Sequence, residues 1–505
     1  MGGGRGLEGI FGAFRANIVG QERYFDTPFG RKRMLYADWT ASGRAYLPIE
    51  AYLLEEILPF FGNTHTSTTV TGTRMTEAYE EAKRLIKAHV HAGEEDVLVF
   101  CGSGMTSAVN KLQRLLGLRV PERAREYFSG LEIDEARRPL VLVTHMEHHS
   151  NHVSWLETIA TVEVIGQDPH GGVDLEQLRG LLERYREREV KIAAVTACSN
   201  VTGVMTPYRE IARVMHAFGG LCFVDFACSA PYVSMDMHPV GDVCGERGVG
   251  GDLDAIYFSG HKFLGGPGTP GVLIFNKRLY RNTVPDQPGG GTLLYSNPWG
   301  GRDYIDDIDA REDGGTPPVL QGVKLGLCVR LKEDMGVARM LAREAEMVPR
   351  LLDRLYGIEG VDVLAAGRRE RLGVVSFTVK GVHYDAVVKS LNDRFGIQAR
   401  GGCSCAGTYG HHLLCIDRVR SEAVRDALKQ GSIQSKPGWV RVSVHPTMTD
   451  WEIDFIGDAV EAVAGGAGVG AGAGAGAGAG FGAGAGAEAG AEAGEPGLGG
   501  MAGFE

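Results

Sequence analysis

The sequence predicts an α/β fold: a large domain on a doubly wound, mostly parallel sheet of seven strands, followed by a smaller α+β domain. Three observations carry this expectation. Apolar runs between residues 97 and 276 are continuous instead of alternating, as strands buried on both faces should be. Helical or charged stretches separate most of them, which is the pattern of a parallel sheet covered by helices. From about residue 317 the texture changes to long helices mixed with a few short strands.

Taken in order, residues 1–60 read as an N-terminal arm packing with the small domain, and 61–316 as the large domain. "TEAYEEAKRLIKAHV" (76–90) is a helix candidate ahead of the first strand, "VLVF" (97–100). The other runs are "LVLVTH" (140–145), "TVEVIG" (161–166), "KIAAVTA" (191–197), "LCFVDFA" (221–227), "DAIYFS" (254–259) and "GVLIFN" (271–276). Too few residues join the last two for a helical crossover, so the seventh strand should be antiparallel. "DLEQLRGLLERYRERE" (174–189) is another helix, and the charged stretch 121–139 reads as a surface insertion. Residues 317–463 form the smaller domain. A long helical region (324–356) leads to "GVVSFTV", the helix "DAVVKSLNDRF", the short strand "IQAR", and "WVRVSV". The last helix opens with a capping box, Thr449 and Glu452, and repeats Trp451, Phe455, Ala459 and Val463 at a spacing of four. Residues 464–505 are nearly all Gly and Ala, with too little apolar surface to offset the entropy of ordering, and read as a disordered tail.

Composition excludes several functions. The net charge is −11, and four acids (Glu488, Glu492, Glu495, Glu505) sit in a tail without basic residues, which argues against nucleic-acid or anionic-membrane partners. No apolar run reaches the roughly 20 residues of a membrane span. The start lacks a signal-peptide core, and Gly6 stands where a myristoylation motif wants Ser or Thr. Nine scattered cysteines read as reduced thiols in a cytoplasmic setting.

Four features lie at the carboxyl ends of predicted strands, where open α/β sheets bind ligands. "GSGMTSAVNKL" (102–112) opens a helix after the first strand, and its backbone N–H groups and hydroxyls suit a phosphate, although a plain turn has the same look. "MEHHSNHVSW" (146–155) clusters three histidines. A neutral imidazole there could stack on a flat heterocycle; no metal-ligand spacing is present, and a surface cluster is the plain alternative. Asp225 ends a buried strand and needs a cation, whether a protonated ring nitrogen or a salt bridge. Lys262 follows another buried strand, in "FSGHK". Burial lowers an amine's pKa, and a neutral amine can attack a carbonyl. Together these describe a pyridoxal phosphate (PLP) site: phosphate cradle, ring stacker, carboxylate for the ring nitrogen, and lysine for the aldehyde.

From about Leu35 to Val463 the chain resembles the class V aminotransferase group of PLP enzymes, fold type I, in its cysteine desulfurase and selenocysteine lyase branch. The motifs are "YADWTASGR" (36–44), "MEHHSN", "FSGHK" and "EDGGTPPVLQGVKLG" (312–326). The resemblance implies Lys262 as the Schiff-base lysine, His148 stacked on the ring, Asp225 on its nitrogen, and Asn200 near its oxygen and the substrate. It places Gly104, Met105, Thr106, Ser259 and His261 on the phosphate. Thr316 would reach the phosphate of a partner subunit, which implies a homodimer. Arg441 would clamp the substrate carboxylate, with Arg400 as a second arginine.

The resemblance also implies a small amino-acid substrate. In "RGGCSCAGTYGHH" (400–412), Cys405 falls at the position of the thiol that receives sulfur as a persulfide, and a sulfur-acceptor protein would then discharge it. Gly401, Gly402 and Gly407 are expected to leave this loop mobile. Two departures leave other chemistry open. Cys228 stands where the family has a glutamine beside the ring oxygen, and glycines and a tyrosine follow Cys405 where a proline is usual. The alternatives are an aminotransferase or epimerase on the same scaffold, in which Cys405 is a bystander, and a non-catalytic scaffold. No metal site is expected.

Overall fold

Seven strands share one sheet in a computed structural model of the chain, which describes residues 6–466 except 65, 129, 131, 241–242 and 245–248. They are β1 (Asp96–Cys101), β2 (Leu140–Thr144), β3 (Thr161–Ile165), β4 (Lys191–Thr196), β5 (Leu221–Asp225), β6 (Ala255–Ser259) and β7 (Gly271–Asn276). Their spatial order is β1-β7-β6-β5-β4-β2-β3. Pairing is parallel from β6 through β5, β4 and β2 to β3. As its short connection requires, β7 is antiparallel to β6, and it lies between β6 and β1. All residues of β1, β2 and β4 are buried, which is why those segments are continuously apolar. β3 is the edge strand and mostly half-buried, so it tolerates Thr161 and Glu163.

A second sheet is antiparallel: β8 (Val361–Val363), β9 (Val374–Val379), β10 (Arg400–Gly402) and β11 (Trp439–Ser443), in the order β8-β9-β11-β10. The N-terminal segment joins this side. Leu35–Tyr36 pairs in parallel with Ile397–Gln398. Arg15 grips Glu452 through two hydrogen bonds of 2.7 and 2.6 Å, and Glu8 accepts the Asp450 N–H.

The helices that matter for the site are α1 (Val70–His89), α2 (Met105–Leu115), α3 (His149–Leu156), α4 (Val319–Met335), α5 (Val337–Tyr356), α6 (Gly407–Leu413) and α7 (Asp450–Ala464). α1 starts earlier than the apolar pattern suggests because Thr69 caps it, accepting the Gly72 N–H at 3.2 Å. The long helical region predicted for 324–356 is two helices. Gly336 breaks it at a φ of 77°, a conformation that favours glycine. α4 lies against α1: a Cβ on Gly326 would meet the Ala82 Cβ at 3.1 Å. Its buried Lys332 donates to the carbonyls of Ala230 and Val233, tying α4 to the segment after β5. α7 has the expected reciprocal capping box. Its buried face runs through Ile453, Ile456, Val460 and Val463. Trp451 is exposed and stacks on Phe455, so the spacing-of-four stripe is rotated from the true core face at its start. No helix among the described residues is long and apolar enough to cross a membrane.

Candidate active site

The carboxyl ends of β4, β5 and β6 are adjacent, so strand pairing alone brings Thr196, Asp225 and Ser259 to one rim. Lys262 ends the single turn that follows β6. Above this rim lies a cavity of about 380 Å³. Its walls include Gly104, Met105, Thr106, His148, Asn200, Asp225, Ser259, His261 and Lys262, together with Arg400, Cys405 and Arg441. Residues from seven separate stretches of sequence thus meet in one place. Thr316 does not; it is exposed and outside the cavity.

Each group has a local cause. Met105 begins α2, and its N–H donates to Ser259 Oγ at 2.9 Å, which fixes the helix start against the end of β6. A Cβ on Gly104 would stand 3.1 Å from that hydroxyl, so glycine keeps this approach open. His148 caps α3: its Nδ1 accepts the Ser150 N–H at 3.1 Å. Burial, helped by the Lys262 charge, pushes His148 down to about 3, so its ring is neutral with the remaining proton on Nε2. Glu147, just before it, is buried and accepts from Thr144, Asn151 and Thr196, which locks the turn onto β2 and β4.

Among the described residues Asp225 has one protein donor, the Ala227 N–H at 2.8 Å. Burial raises its pKa to about 6, against the pull of that bond and of Lys262. Burial lowers the pKa of Lys262, while Cys228 and Asp225 oppose this and Arg441 and Arg400 reinforce it. Among the described residues the Lys262 ammonium makes no hydrogen bond or salt bridge. Asn200 donates to the Ser404 carbonyl at 2.7 Å, yet its Oδ1 is buried without a donor among the described residues.

These observations fit PLP. An unpaired lysine suits the aldehyde, a buried carboxylate with one donor suits a protonated ring nitrogen, and an unsatisfied amide oxygen faces a site of polar atoms. A glycine-opened helix start with Ser259 beside it suits the phosphate.

The Cys405 loop is held more tightly than its glycines suggest. The His149 N–H donates to the Cys405 carbonyl at 2.7 Å, and the Gly407 N–H donates to His149 Nε2 at 2.8 Å. Thr408 pairs with His152 at 3.1 Å. Ser404 and Cys405 both have left-handed backbones, with φ of 50° and 54°, which is rare for side-chain-bearing residues. The glycines serve close packing: a Cβ on Gly407 would meet His149 Nε2 at 2.9 Å, and one on Gly401 would meet the Tyr384 ring at 3.0 Å. The Cys405 side chain is exposed at the cavity mouth.

Sequence reasoning passed over several wall residues. Cys198 lies beside Cys228, and the two thiols share the Ser199 carbonyl. Ser150 hydrogen-bonds Thr106 at 2.7 Å. Thr40 and Ala41 come from the N-terminal segment, whose motif was visible but whose place in the cavity was not. Behind them Asp38 binds both Arg400 and Arg441.

Comparison with known proteins identifies the family and agrees with the fold. The sequence profile of the family described as aminotransferase class-V matches residues 35–456. A probable cysteine desulfurase of Halalkalibacterium halodurans is 30% identical over 381 residues, covering 74% of this chain and 84% of that protein. One from Staphylococcus epidermidis is 26% identical over 383 residues, with the same coverage. Among solved structures, the apo cysteine desulfurase from Thermococcus onnurineus NA1 has a TM-score of 0.69 at 23% identity, covering 90% of this chain and 98% of that one. A cysteine desulfurase from Escherichia coli has a TM-score of 0.66 at 20% identity, covering 91% and 99%. Fold and site together define a PLP-dependent enzyme of fold type I. The chain belongs to the aminotransferase class V family.

Proposed function

We propose that this enzyme is a cysteine desulfurase, or selenocysteine lyase-like enzyme, that releases alanine from L-cysteine and leaves the sulfur on Cys405. The carrying observation is a thiol on an anchored loop at the mouth of the cavity that holds Lys262. When bound, PLP supplies the electron sink that labilises bonds at the substrate's α-carbon. Lys262 is suited to take the α-proton, because burial favours its neutral amine. Neutral His148 supplies a flat, uncharged face for the cofactor ring. Asp225 would hold the ring nitrogen, and Gly104, Met105, Thr106, Ser259 and His261 the phosphate. Arg400 and Arg441 would take the substrate carboxylate, beside Asn200. Cys405 then attacks the substrate sulfur: an S–S bond forms as the Cβ–S bond breaks, giving a persulfide.

A homodimer is part of this reading. Thr316 is exposed in the single chain, free to complete a partner's phosphate site, and the glycine-rich stretch 287–292 packs beside Gly314 and Gly315. A protein partner would carry the sulfur away. A reducing, cytoplasmic setting follows, since Cys405 must return to a thiol after each cycle.

The test follows alanine, sulfide and keto-acid products from a panel of amino acids, for wild type, Cys405→Ala and Cys403→Ala. Alanine release from cysteine should fall on the order of 100-fold in Cys405→Ala, since a covalent nucleophile is lost, and much less in Cys403→Ala. Unchanged alanine release in Cys405→Ala would overturn the assignment, and keto acid without sulfide would put an aminotransferase in its place.

A further inference from the structure

The second sheet sets two positive charges side by side. Arg400 and Arg441 are direct register partners across the antiparallel pair β10–β11. Side chains of such partners leave the same face of the sheet, and like charges opposite one another are destabilising. Both arginines line the cavity. Something must hold two repelling guanidinium groups in place before a substrate arrives.

Asp38 occupies that position. Its Oδ1 accepts from Arg441 Nη2 at 2.8 Å, and its Oδ2 accepts from Arg400 Nε at 3.0 Å. One carboxylate thus has one oxygen on each arginine. Asp38 is buried, and it is not a wall residue of the cavity. Its own backbone is fixed from several sides. Leu35 and Tyr36 are paired with Ile397 and Gln398, and Gln398 lies two residues before Arg400. The Ser443 N–H donates to the Ala37 carbonyl at 2.7 Å, and Ser443 lies two residues beyond Arg441. The Thr40 N–H donates to Ser443 Oγ at 3.0 Å.

The two arginines are left in different states. Arg441 is buried, with Nη2 on Asp38 and Nη1 on the Asn200 carbonyl at 3.0 Å, and its Nε is buried without a partner among the described residues. Arg400 is half-exposed on its side chain and donates only through Nε, so both of its outer nitrogens are free among the described residues. Two guanidinium charges against one carboxylate leave a net single positive charge, which matches the single α-carboxylate of a neutral amino acid.

We propose that Asp38 is a positioning residue that couples Arg400 to Arg441 and sets their joint charge for one substrate carboxylate. This rests on the proposed reading of the arginines as the carboxylate site. Asp38 touches neither the substrate nor the cofactor. It acts by preventing the arginines from separating and by aiming the free edge of Arg400 into the cavity.

The experiment compares wild type, Asp38→Asn and Asp38→Glu as PLP-loaded enzymes. Binding of L-cysteine, L-alanine and cysteamine is followed by the change in cofactor absorbance, alongside KM and kcat for L-cysteine. Cysteamine carries the amine and thiol but no carboxylate. In Asp38→Asn, binding of L-cysteine and L-alanine should weaken on the order of tenfold, the loss expected when one charged hydrogen-bonding partner is removed. Cysteamine binding should stay within about twofold, and KM should rise by a larger factor than kcat falls. Asp38→Glu keeps the charge and should recover part of the loss. Equal weakening of cysteamine and cysteine would show a general packing role and overturn the proposal, as would unchanged L-cysteine binding. If Asp38→Asn does not fold, Arg400→Lys, which keeps the charge but removes the Nε donor, should show the same selectivity for carboxylate ligands, and equal effects on cysteamine would again count against it. A wild type that makes no alanine from cysteine would defeat the desulfurase reading alone, since L-alanine and cysteamine binding still score Asp38.

Discussion

Replacing Asp225 by Asn should shift the stability of the cofactor-free protein in a direction opposite to its effect on the loaded enzyme. Asp225 is 2% exposed, and one backbone N–H is its only protein donor among the described residues. Burial raises its pKa from 3.8 to about 6, with the Ala227 bond and the Lys262 charge opposing the rise. A rise of about two units corresponds to about 3 kcal/mol between the two protonation states. The folded pKa lies above the unfolded one, so the fold holds an extra proton between roughly pH 4 and 6. The resulting penalty on the folded state is absent below the unfolded value, grows as pH rises, and is complete above the folded value. Asparagine never carries that penalty, and its Oδ1 can still accept the Ala227 N–H. Cofactor-free Asp225→Asn should therefore exceed the cofactor-free wild type in stability by up to about 3 kcal/mol near neutral pH, with the gap closing toward pH 4. The same variant should retain PLP poorly and lose most activity, because nothing then holds the ring-nitrogen proton. Urea unfolding of both cofactor-free proteins across this pH range measures the gap. A gap absent at neutral pH, or one that persists unchanged at pH 4, would refute the account of Asp225 as a carboxylate kept uncomfortable until the cofactor arrives.

Cys228 is one of two groups that push the Lys262 pKa up. In cofactor-free Cys228→Gln the pH midpoint for labelling Lys262 with an amine-reactive probe should fall, and a midpoint that rises or stays fixed would contradict the pairing. Thr316→Ala should leave the fold intact but speed loss of PLP from the assembled enzyme, measured by dialysis and absorbance; unaltered retention would remove Thr316 from the phosphate site.

Much of the large sheet was readable because its strands are buried on both faces and so are apolar without interruption. The ends of those strands then located Asp225 and Lys262, since each is an ionisable group at the end of a largely buried strand. What escaped was set by contacts distant in sequence. Asp38 meets Arg400 and Arg441 across 362 and 403 residues, and no local pattern marks an aspartate that bridges two arginines. The glycines near Cys405 suggested mobility because glycine lowers backbone constraint. The structure gives Gly401 and Gly407 another task, which is to admit the Tyr384 ring and the His149 ring. The start of α7 was misregistered for a similar reason: Trp451 fits an apolar stripe by type, but it stacks on Phe455 at the surface.

The charges around the cavity give these parts a common logic. Arg441 and Arg400 add to burial in lowering the Lys262 pKa, which shifts its balance toward the neutral amine. A substrate carboxylate on the arginines would cancel part of their push while leaving Asp225 and Cys228, which act in the other direction. The amine of Lys262 should then become a stronger base when a carboxylate-bearing substrate is in place than when the site holds an amine alone. Asp38 already cancels one of the two guanidinium charges, so a single carboxylate is enough to neutralise the remainder. On the proposed reading of these residues, proton abstraction would be tied to the presence of an amino acid through the field of the arginines.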